Sequence, residues 1–356
     1  MSKSNIEATI AGVDDGHDGI KVYLGINEQT GEPIQYRMLS RAIVGIVNMG
    51  DDDTINKELV VVDGDTYTVN QTLSRFENTR NEEYPTSKLS KALVYQALRL
   101  AEPKTRTLKI GSGLPVDRFY SGPNKSMNKN LLAAKKQNLL SMQNVYNKYD
   151  QLHGIPQLEI AKHVVLCEAN AAYYDILFND EGTELSQIAK ETEIYQYGAA
   201  VIDIGGRTTD CVVVNPGGNS LNGARSGTID VGILAMQDEL RQELKTTYGW
   251  NFISEAQLSN AMLTGMYGAG PNKTDISAHI DKHKQRLFSR IENFIESTIG
   301  DASDVPAIIL VGGGAYTVGD LVRKRYNNII TPDDVEFSNA RGFYKLYKFK
   351  FQHLED

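Results

Sequence analysis

One stretch constrains this chain more than any other. Ala199-Ala200-Val201-Ile202-Asp203-Ile204 is an apolar, strand-type run that ends at a carboxylate. Gly205-Gly206-Arg207-Thr208-Thr209 follows as a turn, and Asp210-Cys211-Val212-Val213-Val214 returns as a second strand. A second unit of the same design lies near the start. Ala8 to Val13 is apolar, Asp14-Asp15-Gly16-His17-Asp18-Gly19 is the turn, and Ile20-Lys21-Val22-Tyr23-Leu24 resumes the β-rich pattern. Gly, Asp and His between two such runs predict a hairpin. The two units sit in opposite halves of the chain. Together they suggest two related α/β lobes, each presenting one hairpin to a shared cleft.

The rest of the chain supplies the layers such lobes need. Leu59 to Val62 and Thr66 to Val69 flank Asp63-Gly64-Asp65, another hairpin. Leu89, Leu93, Ala97 and Leu100 recur at helical spacing and predict a helix over Lys88 to Leu100. Thr107 to Leu114 reads as a strand and His163 to Leu166 as a short buried one. Cys167 to Tyr174 reads as a helix, and Ser121 to Lys148 as a polar helical excursion. Asn179 to Glu193 is acidic and polar and reads as an exposed loop or short insertion. Ile233, Met236, Leu240 and Leu244 mark one further helix, and Leu287, Ile291, Phe294, Ile295 and Ile299 another. Ala307 to Val311 is a buried strand that runs into Gly312-Gly313-Gly314-Ala315.

A chain of 356 residues suits two packed lobes. No run approaches the roughly 18 apolar residues of a membrane-spanning helix, and Met1 to Asn5 lacks the apolar stretch of a secretory signal. The two cysteines, Cys167 and Cys211, sit in apolar surroundings and read as reduced core thiols, which makes the cytoplasm the expected compartment. The net charge of −8 argues against direct, specific DNA binding, because phosphate neutralisation needs a basic face. Lys125, Lys129, Lys135 and Lys136 read as the solvated face of a helix. His17, His153 and His163 show no metal-ligand spacing.

A nucleoside triphosphate needs backbone N–H donors at close range, which glycine permits, and a hard cation held by carboxylate oxygens. Two Gly turns preceded by Asp14 and Asp203 meet that need, with Lys21 as a point charge for phosphate. Taken singly, each of the Gly turns is an ordinary structural element, as is Gly312-Gly313-Gly314. Their order and spacing together carry the reading. None fits the Walker pattern, and none gives a convincing dinucleotide fingerprint.

In that order the motifs resemble the superfamily of actin, sugar kinases and heat-shock chaperone ATPases, over nearly the whole chain. Asp14 to Lys21 resembles its first phosphate loop and Ile202 to Asp210 its second. Val311 to Ala315 resembles its adenosine motif. Cys167-Glu168-Ala169-Asn170-Ala171-Ala172 resembles the first connecting helix, and Asn339-Ala340-Arg341-Gly342-Phe343 the second. The doubled Asp14-Asp15, Gly113-Leu114-Pro115 with Tyr120 following, and Glu168 resemble plasmid-segregation actins of the ParM/StbA type. Conventional actins carry Gln where Glu168 stands.

The resemblance implies an α/β fold of the actin-like, duplicated ribonuclease H-like kind, with two lobes around a nucleotide cleft. Residues 1–168 would form the first lobe, with 336–356 returning to it, and residues 169–335 the second. It implies Mg²⁺ and ATP or GTP, with Asp14 and Asp203 holding hydrated Mg²⁺. Asp15, Gly16, His17, Asp18, Gly19 and Lys21 would face the phosphates from one side. Gly205, Gly206, Arg207, Thr208 and Thr209 would do so from the other, and Gly312, Gly313, Gly314 and Ala315 would pack on the adenosine. Glu168, Asp203 and Asp14 would be the catalytic set, with Glu168 on the attacking water. It also implies self-assembly into filaments and a DNA-binding adaptor of the ParR type that links them to plasmid DNA.

Two positions depart from the pattern. His17-Asp18 stands where many relatives have Ser or Thr hydroxyls, and Arg207 where relatives have a small residue. Arg207 is open to either phosphate or solvent. Three classes follow: a cytoskeletal ATPase, of plasmids or of another cargo; a small-molecule kinase of the same superfamily; and a scaffold that has lost hydrolysis. The tail Tyr347-Lys348-Phe349-Lys350-Phe351 is expected to pack on the first lobe or hang free, with a filament or membrane contact as the other options.

Overall fold

A computed structural model describes residues 8–48, 50, 52–122 and 125–351. Its first sheet is built on the N-terminal hairpin, β1 (Thr9–Asp15) and β2 (Gly19–Ile26), extended by β3 (Pro33–Leu39). A small antiparallel sheet follows from β4 (Ala42–Val44), β5 (Leu59–Val62) and β6 (Asp65–Val69). Helix α1 (Lys88–Leu100) leads to β7 (Thr107–Leu114), and α2 (Lys129–Leu140) to β8 (Val145–Asn147) and β9 (Glu159–Cys167). Strand β8 completes the small sheet, in the order β8-β5-β6-β4.

The second half opens with α3 (Glu168–Leu177) and the hairpin β10 (Ala199–Ile204) and β11 (Thr209–Val214), then β12 (Gly227–Ile229). Helices α4 (Ile233–Tyr248), α5 (Glu255–Thr264) and α6 (Ser277–Ile299) precede β13 (Ile308–Val311). Then come α7 (Ala315–Arg325), β14 (Ile329–Ile330) and α8 (Ser338–Leu346).

The two large sheets repeat one plan. The first has the order β9-β7-β1-β2-β3, the second β12-β11-β10-β13-β14. In each, the hairpin and its third strand are antiparallel, while two later strands add in parallel beside the first strand. Parallel addition needs a crossover that covers a face, so the central strands are buried on both sides and read as continuous apolar runs. Strand β10 shows the alternation directly. Ala200, Ile202 and Ile204 pack with Leu240, Ile291 and Val318 of α4, α6 and α7, whereas Ala199 and Val201 pack with Ala172, Tyr173 and Ile176 of α3.

Helices α3 and α8 cross between the sheets, α3 on β10 and β11, α8 on β1, β2 and β7. Their approach is close because Gly342 has no side chain: a Cβ there would lie 1.9 Å from the Ala171 carbonyl oxygen. Polar groups lock the crossing. The buried Asp175 of α3 accepts from Arg341 Nη2 at 2.8 Å and Ser338 Oγ at 2.8 Å, and Lys345 Nζ donates to its backbone carbonyl at 2.7 Å. Burial works against the Asp175 charge, yet Lys345 and Arg341 hold its pKa below the ordinary value.

Three sequence expectations are corrected. The strand placed at His163 to Leu166 runs from Glu159 to Cys167; its first half escaped because Glu159 and Lys162 interrupt the apolar run and the register shifts between Ile160 and Lys162. The exposed loop or short insertion expected at Asn179 to Glu193 contains a short helix, Gln187–Thr192, whose N-terminus is capped by Ser186 Oγ. The tail neither hangs free nor packs on the first sheet alone. Tyr347 is buried, the Phe349 ring lies 4.3 Å from that of Phe178 just beyond α3, and Lys350 Nζ donates to the Tyr174 hydroxyl at 2.9 Å.

Backbone contact at the crossing leaves no room for a methyl group. Gly342→Ala should therefore destabilise the chain by about 1–3 kcal/mol or more. Gly223→Ala, where an added Cβ meets nothing within 4 Å, should stay within about 0.5 kcal/mol of the parent. Chemical denaturation of both variants measures this, and equal stabilities would contradict the close-packed crossing.

Candidate nucleotide cleft

The hairpin turns of the two sheets face each other across a cavity of about 620 Å³. Asp14, Asp15, Gly16, His17, Asp18 and Lys21 line one wall, and Asp203, Gly205, Gly206, Arg207 and Thr208 the other, with Gly312, Gly313 and Gly314 beside them. The turns touch: a Cβ on Gly206 would lie 2.8 Å from that of Asp18. Their carbonyl oxygens are engaged by neighbouring elements. Ser40 donates its hydroxyl to Gly16 O at 2.7 Å and its N–H to Asp18 O at 2.9 Å, while the N–H groups of Ile233 and Leu234 at the start of α4 bond Gly205 O and Gly206 O. Tying back the acceptors suits both turns to an anion.

Gly312 could be no other residue. Its φ is +84°, and a Cβ would lie 2.3 Å from Asp203 Oδ1. Its N–H bonds Val335 O, and that of Gly314 bonds Ile204 O, so the glycine run is stitched to the end of β10. Gly313 faces open space.

Three of the residues expected at the site do not line this cavity. Gly19 begins β2 and is buried, Thr209 donates its hydroxyl to Val231 O at 2.7 Å, and Ala315 starts α7. Each lies one step past a turn, where the chain has re-entered regular structure.

Seven carboxylates and four cationic side chains line the cleft. Every cation is already paired. Lys21 Nζ lies 3.1 Å from Asp14 Oδ2, Arg37 bonds Asp18 and Glu336, Lys135 bonds Asp15, and Arg207 Nε lies 2.8 Å from Asp230 Oδ1. Arg207 thus lines the cleft while bonded to Asp230, a largely exposed carboxylate. Asp18 is matched by Arg37, whose Nη2 lies 3.3 Å from its Oδ2. His17 is held by a reciprocal pair of bonds, its Nδ1–H to Thr79 O at 2.7 Å and the Thr79 hydroxyl to its own carbonyl at 2.9 Å; burial lowers its pKa to about 4.

Among the described residues Glu168, Asp203 and Asp210 form no ion pair, and burial raises the pKa of each. Glu168, at the first turn of α3, is half-buried rather than on the surface. Burial, then Asp14 and Asp210, push it well above the usual carboxylate range. Burial chiefly raises Asp203 to about 6, against the pull of the Asn339 amide at 2.7 Å. Burial and the nearby Asp203 raise Asp210 to about 7, although it accepts from Val116 N–H at 2.9 Å and from the Thr228 hydroxyl at 2.5 Å.

This donor set fits a hydrated divalent cation. Among the described residues no group of three His, Cys, Asp or Glu is placed to cage a metal. Mg²⁺ is characteristically held by one or two carboxylates, water and phosphate. Asn339 Oδ1 is buried with no protein partner and can accept from such water.

Sequence reasoning missed several residues here. Lys135, read as a solvated helix lysine, is 2% exposed. Arg37, Glu336 and Tyr316 line the cleft, as do Ser259, Asn260 and Met262 of α5. None belongs to a local motif, and only the fold brings them near the turns. Among the described residues no helix is long and apolar enough to cross a membrane.

Comparison with known proteins matches residues 12–153 to the N-terminal domain of actin-like proteins and residues 201–324 to the C-terminal domain of MreB-like archaeal actin homologues. The chain belongs to the actin-like superfamily. An archaeal actin homologue from Thermoplasma acidophilum is 29% identical over 159 residues, 41% of this chain and 45% of the relative, so the match spans just under half of that protein. Solved structures share the fold of this actin-like chain end to end. An archaeal actin homologue in complex with ADP superposes with a TM-score of 0.69 at 19% identity, over 96% of this chain and 99% of that one. A 15-stranded ParM filament from Clostridium botulinum gives 0.70 at 18%, over 97% and 100%.

The unpaired carboxylates set a stability signature. A carboxyl whose folded pKa is raised binds protons more tightly in the native state. Its stabilising contribution is therefore full at low pH and is lost as pH rises from the unfolded value near 4 through the folded one. The buried neutral His17 and His163 act in the opposite sense below about pH 6.5, so the test is a difference. Relative to the parent without nucleotide, Asp203→Asn should gain thermal stability between about pH 4 and 6 and hold that gain above pH 7. A difference independent of pH would contradict the crowding of these groups.

Proposed function

We propose that this chain binds a magnesium nucleoside triphosphate in the cleft, hydrolyses it and assembles with copies of itself into filaments. The observation that carries the reading is the convergence of two glycine turns on three carboxylates that no protein cation balances. A triphosphate brings further negative charge, so the site calls for the nucleotide and its cation together. Asp14 and Asp203 would hold Mg²⁺ through water, and the cation would supply charge neutralisation on the phosphates. The backbone of residues 16–18 and 205–208 and the Lys21 ammonium would hold the phosphates, and Gly312 to Gly314 would let the backbone lie against the adenosine. The two halves proposed as lobes, 1–168 with 336–356 and 169–335, would close on it.

In the chemical step a water oxygen bonds to the γ-phosphorus as the bond from that phosphorus to the β–γ bridging oxygen breaks. The diphosphate leaves, and the water's proton passes to the Glu168 carboxylate. Carboxylates nearby and partial burial make Glu168 a stronger proton acceptor than an ordinary glutamate. Phosphoryl transfer asks mainly for positioning and charge stabilisation, and the cleft offers both. Filaments of the ParM kind, with a ParR-type adaptor carrying plasmid DNA, are the assembly the motif order supports best. The match to an archaeal actin homologue supports a second reading, a cytoskeletal filament with another cargo in the cytoplasm.

Saturating Mg-ATP or Mg-GTP should raise the melting temperature by mass action, and the absence of any shift would remove the cleft from consideration. Glu168→Ala should bind nucleotide nearly as the parent does while phosphate release slows by about 10²–10⁴-fold. Asp203→Ala should weaken both. Parental phosphate release from Glu168→Ala would take the water-orienting role from this residue.

Pelleting with and without nucleotide tests assembly. A protein that stays monomeric at high concentration in every nucleotide state would favour the kinase class.

A further inference from the structure

Helix α2 carries a lysine where its neighbours carry leucine. Leu131, Lys135 and Leu139 stand four residues apart on one face; Leu131 is partly buried in the core and Leu139 fully. Lys135 is 2% exposed, and all its bonds are to groups of the cleft. Its Nζ donates to Asp15 Oδ1 at 2.7 Å, to Asp15 Oδ2 at 2.8 Å and to the Gly113 carbonyl at 2.6 Å. Three short bonds use its three protons, which leaves none for a phosphate.

The Gly113 end of this contact reaches Glu168. A Cβ on Gly113 would lie 2.7 Å from Glu168 Cγ and 2.2 Å from the Phe343 ring of α8. The Glu168 side chain therefore rests against Gly113, and Lys135 holds the carbonyl of that same residue. The Asp15 end holds the last residue of β1, next to Asp14. One ammonium thus joins the floor of the first turn to the perch of the proposed water-orienting carboxylate.

We propose that Lys135 is a positioning residue for nucleotide hydrolysis, fixing Glu168 against the first phosphate turn through Gly113 and Asp15. This deepens the proposed function and rests on that reading of the cleft. A buried ion pair by itself is weak evidence for more than local charge balance, so the competing role is simple neutralisation of Asp15. The two roles separate because only one of them runs through Gly113.

The test compares the parent, Lys135→Met and the double variant Lys135→Met/Asp15→Asn. Melting temperatures are taken with and without saturating Mg-ATP, and single-turnover phosphate release at saturating nucleotide. Lys135→Met should melt lower, because Asp15 is left charged and unpartnered, and should release phosphate about 10-fold or more slowly. The double variant should regain most of the melting temperature and remain slow at saturating nucleotide. If the double variant recovers the rate together with the stability, Lys135 only neutralises Asp15 and the proposal falls. Should Lys135→Met not fold, the double variant decides alone. A parent whose melting temperature ignores nucleotide overturns the reading of the cleft, and this proposal with it. A parent that binds and hydrolyses, alongside a double variant of equal rate, overturns this proposal only.

Discussion

The crossing of α3 and α8 is the constraint on which the rest of the structure depends. Two sheets of like plan have no reason to stand with their hairpin turns face to face unless something between them sets the distance. Here it is set by backbone contact at Gly342 and Ala171. The contact is held in register by a buried carboxylate, Asp175, gripped by Arg341, Lys345 and Ser338 of the opposing helix. Such a cluster gains little from charge alone, but it is intolerant of displacement, since any slip would strand Asp175 without partners. Glu168 begins α3 and Asn339 lies in the first turn of α8. The helices that join the sheets thus also deliver two polar groups to the cleft between them.

Within that cleft the electrostatics are deliberately incomplete. Lys21, Arg37, Lys135 and Arg207 are each paired with a carboxylate, which leaves Glu168, Asp203 and Asp210 without an ion-pair partner among the described residues. A protein selected for stability alone would fill such a space with apolar side chains or add a lysine. Raised carboxyl pKa values in a cleft are what a site waiting for a cation and an anionic ligand looks like. The departures at His17, Asp18 and Arg207 belong to the same arrangement. Each is tied to a neighbour, Thr79, Arg37 and Asp230 in turn, so the charges of Asp18 and Arg207 are matched within the protein.

Much of this was legible in the residues. Both glycine turns, the acidic ends of β1 and β10, and the run at Gly312 announced themselves because each is local: strand, turn and strand within about fifteen residues. Helix α1 and strand β7 were also readable to their ends, the helix from its apolar periodicity and the strand because Gly113-Leu114-Pro115 closes it. Strand β9 was not, because its polar residues interrupt the pattern on an edge that solvent reaches. Lys135 was misread for a related reason. A lysine in a Lys- and Asn-rich helix is ordinarily solvated, and the only local clue was its place four residues from Leu131 and from Leu139.

By itself the sequence determined the elements, their order and the chemistry of the turns, because hydrophobic period and glycine placement act over short distances of chain. It also determined the superfamily, since those motifs recur in one order. Only the tertiary structure decided which groups meet. Lys135 and Asp15 are separated by 120 positions and Asp203 and Asn339 by 136. Their contact follows from the packing of sheets and helices rather than from any local pattern. The same holds for charge. A carboxylate's pKa depends on its burial and on neighbours brought from elsewhere in the chain, so the pairing of Asp14 and the isolation of Glu168 could emerge only once the two sheets had closed around the crossing helices.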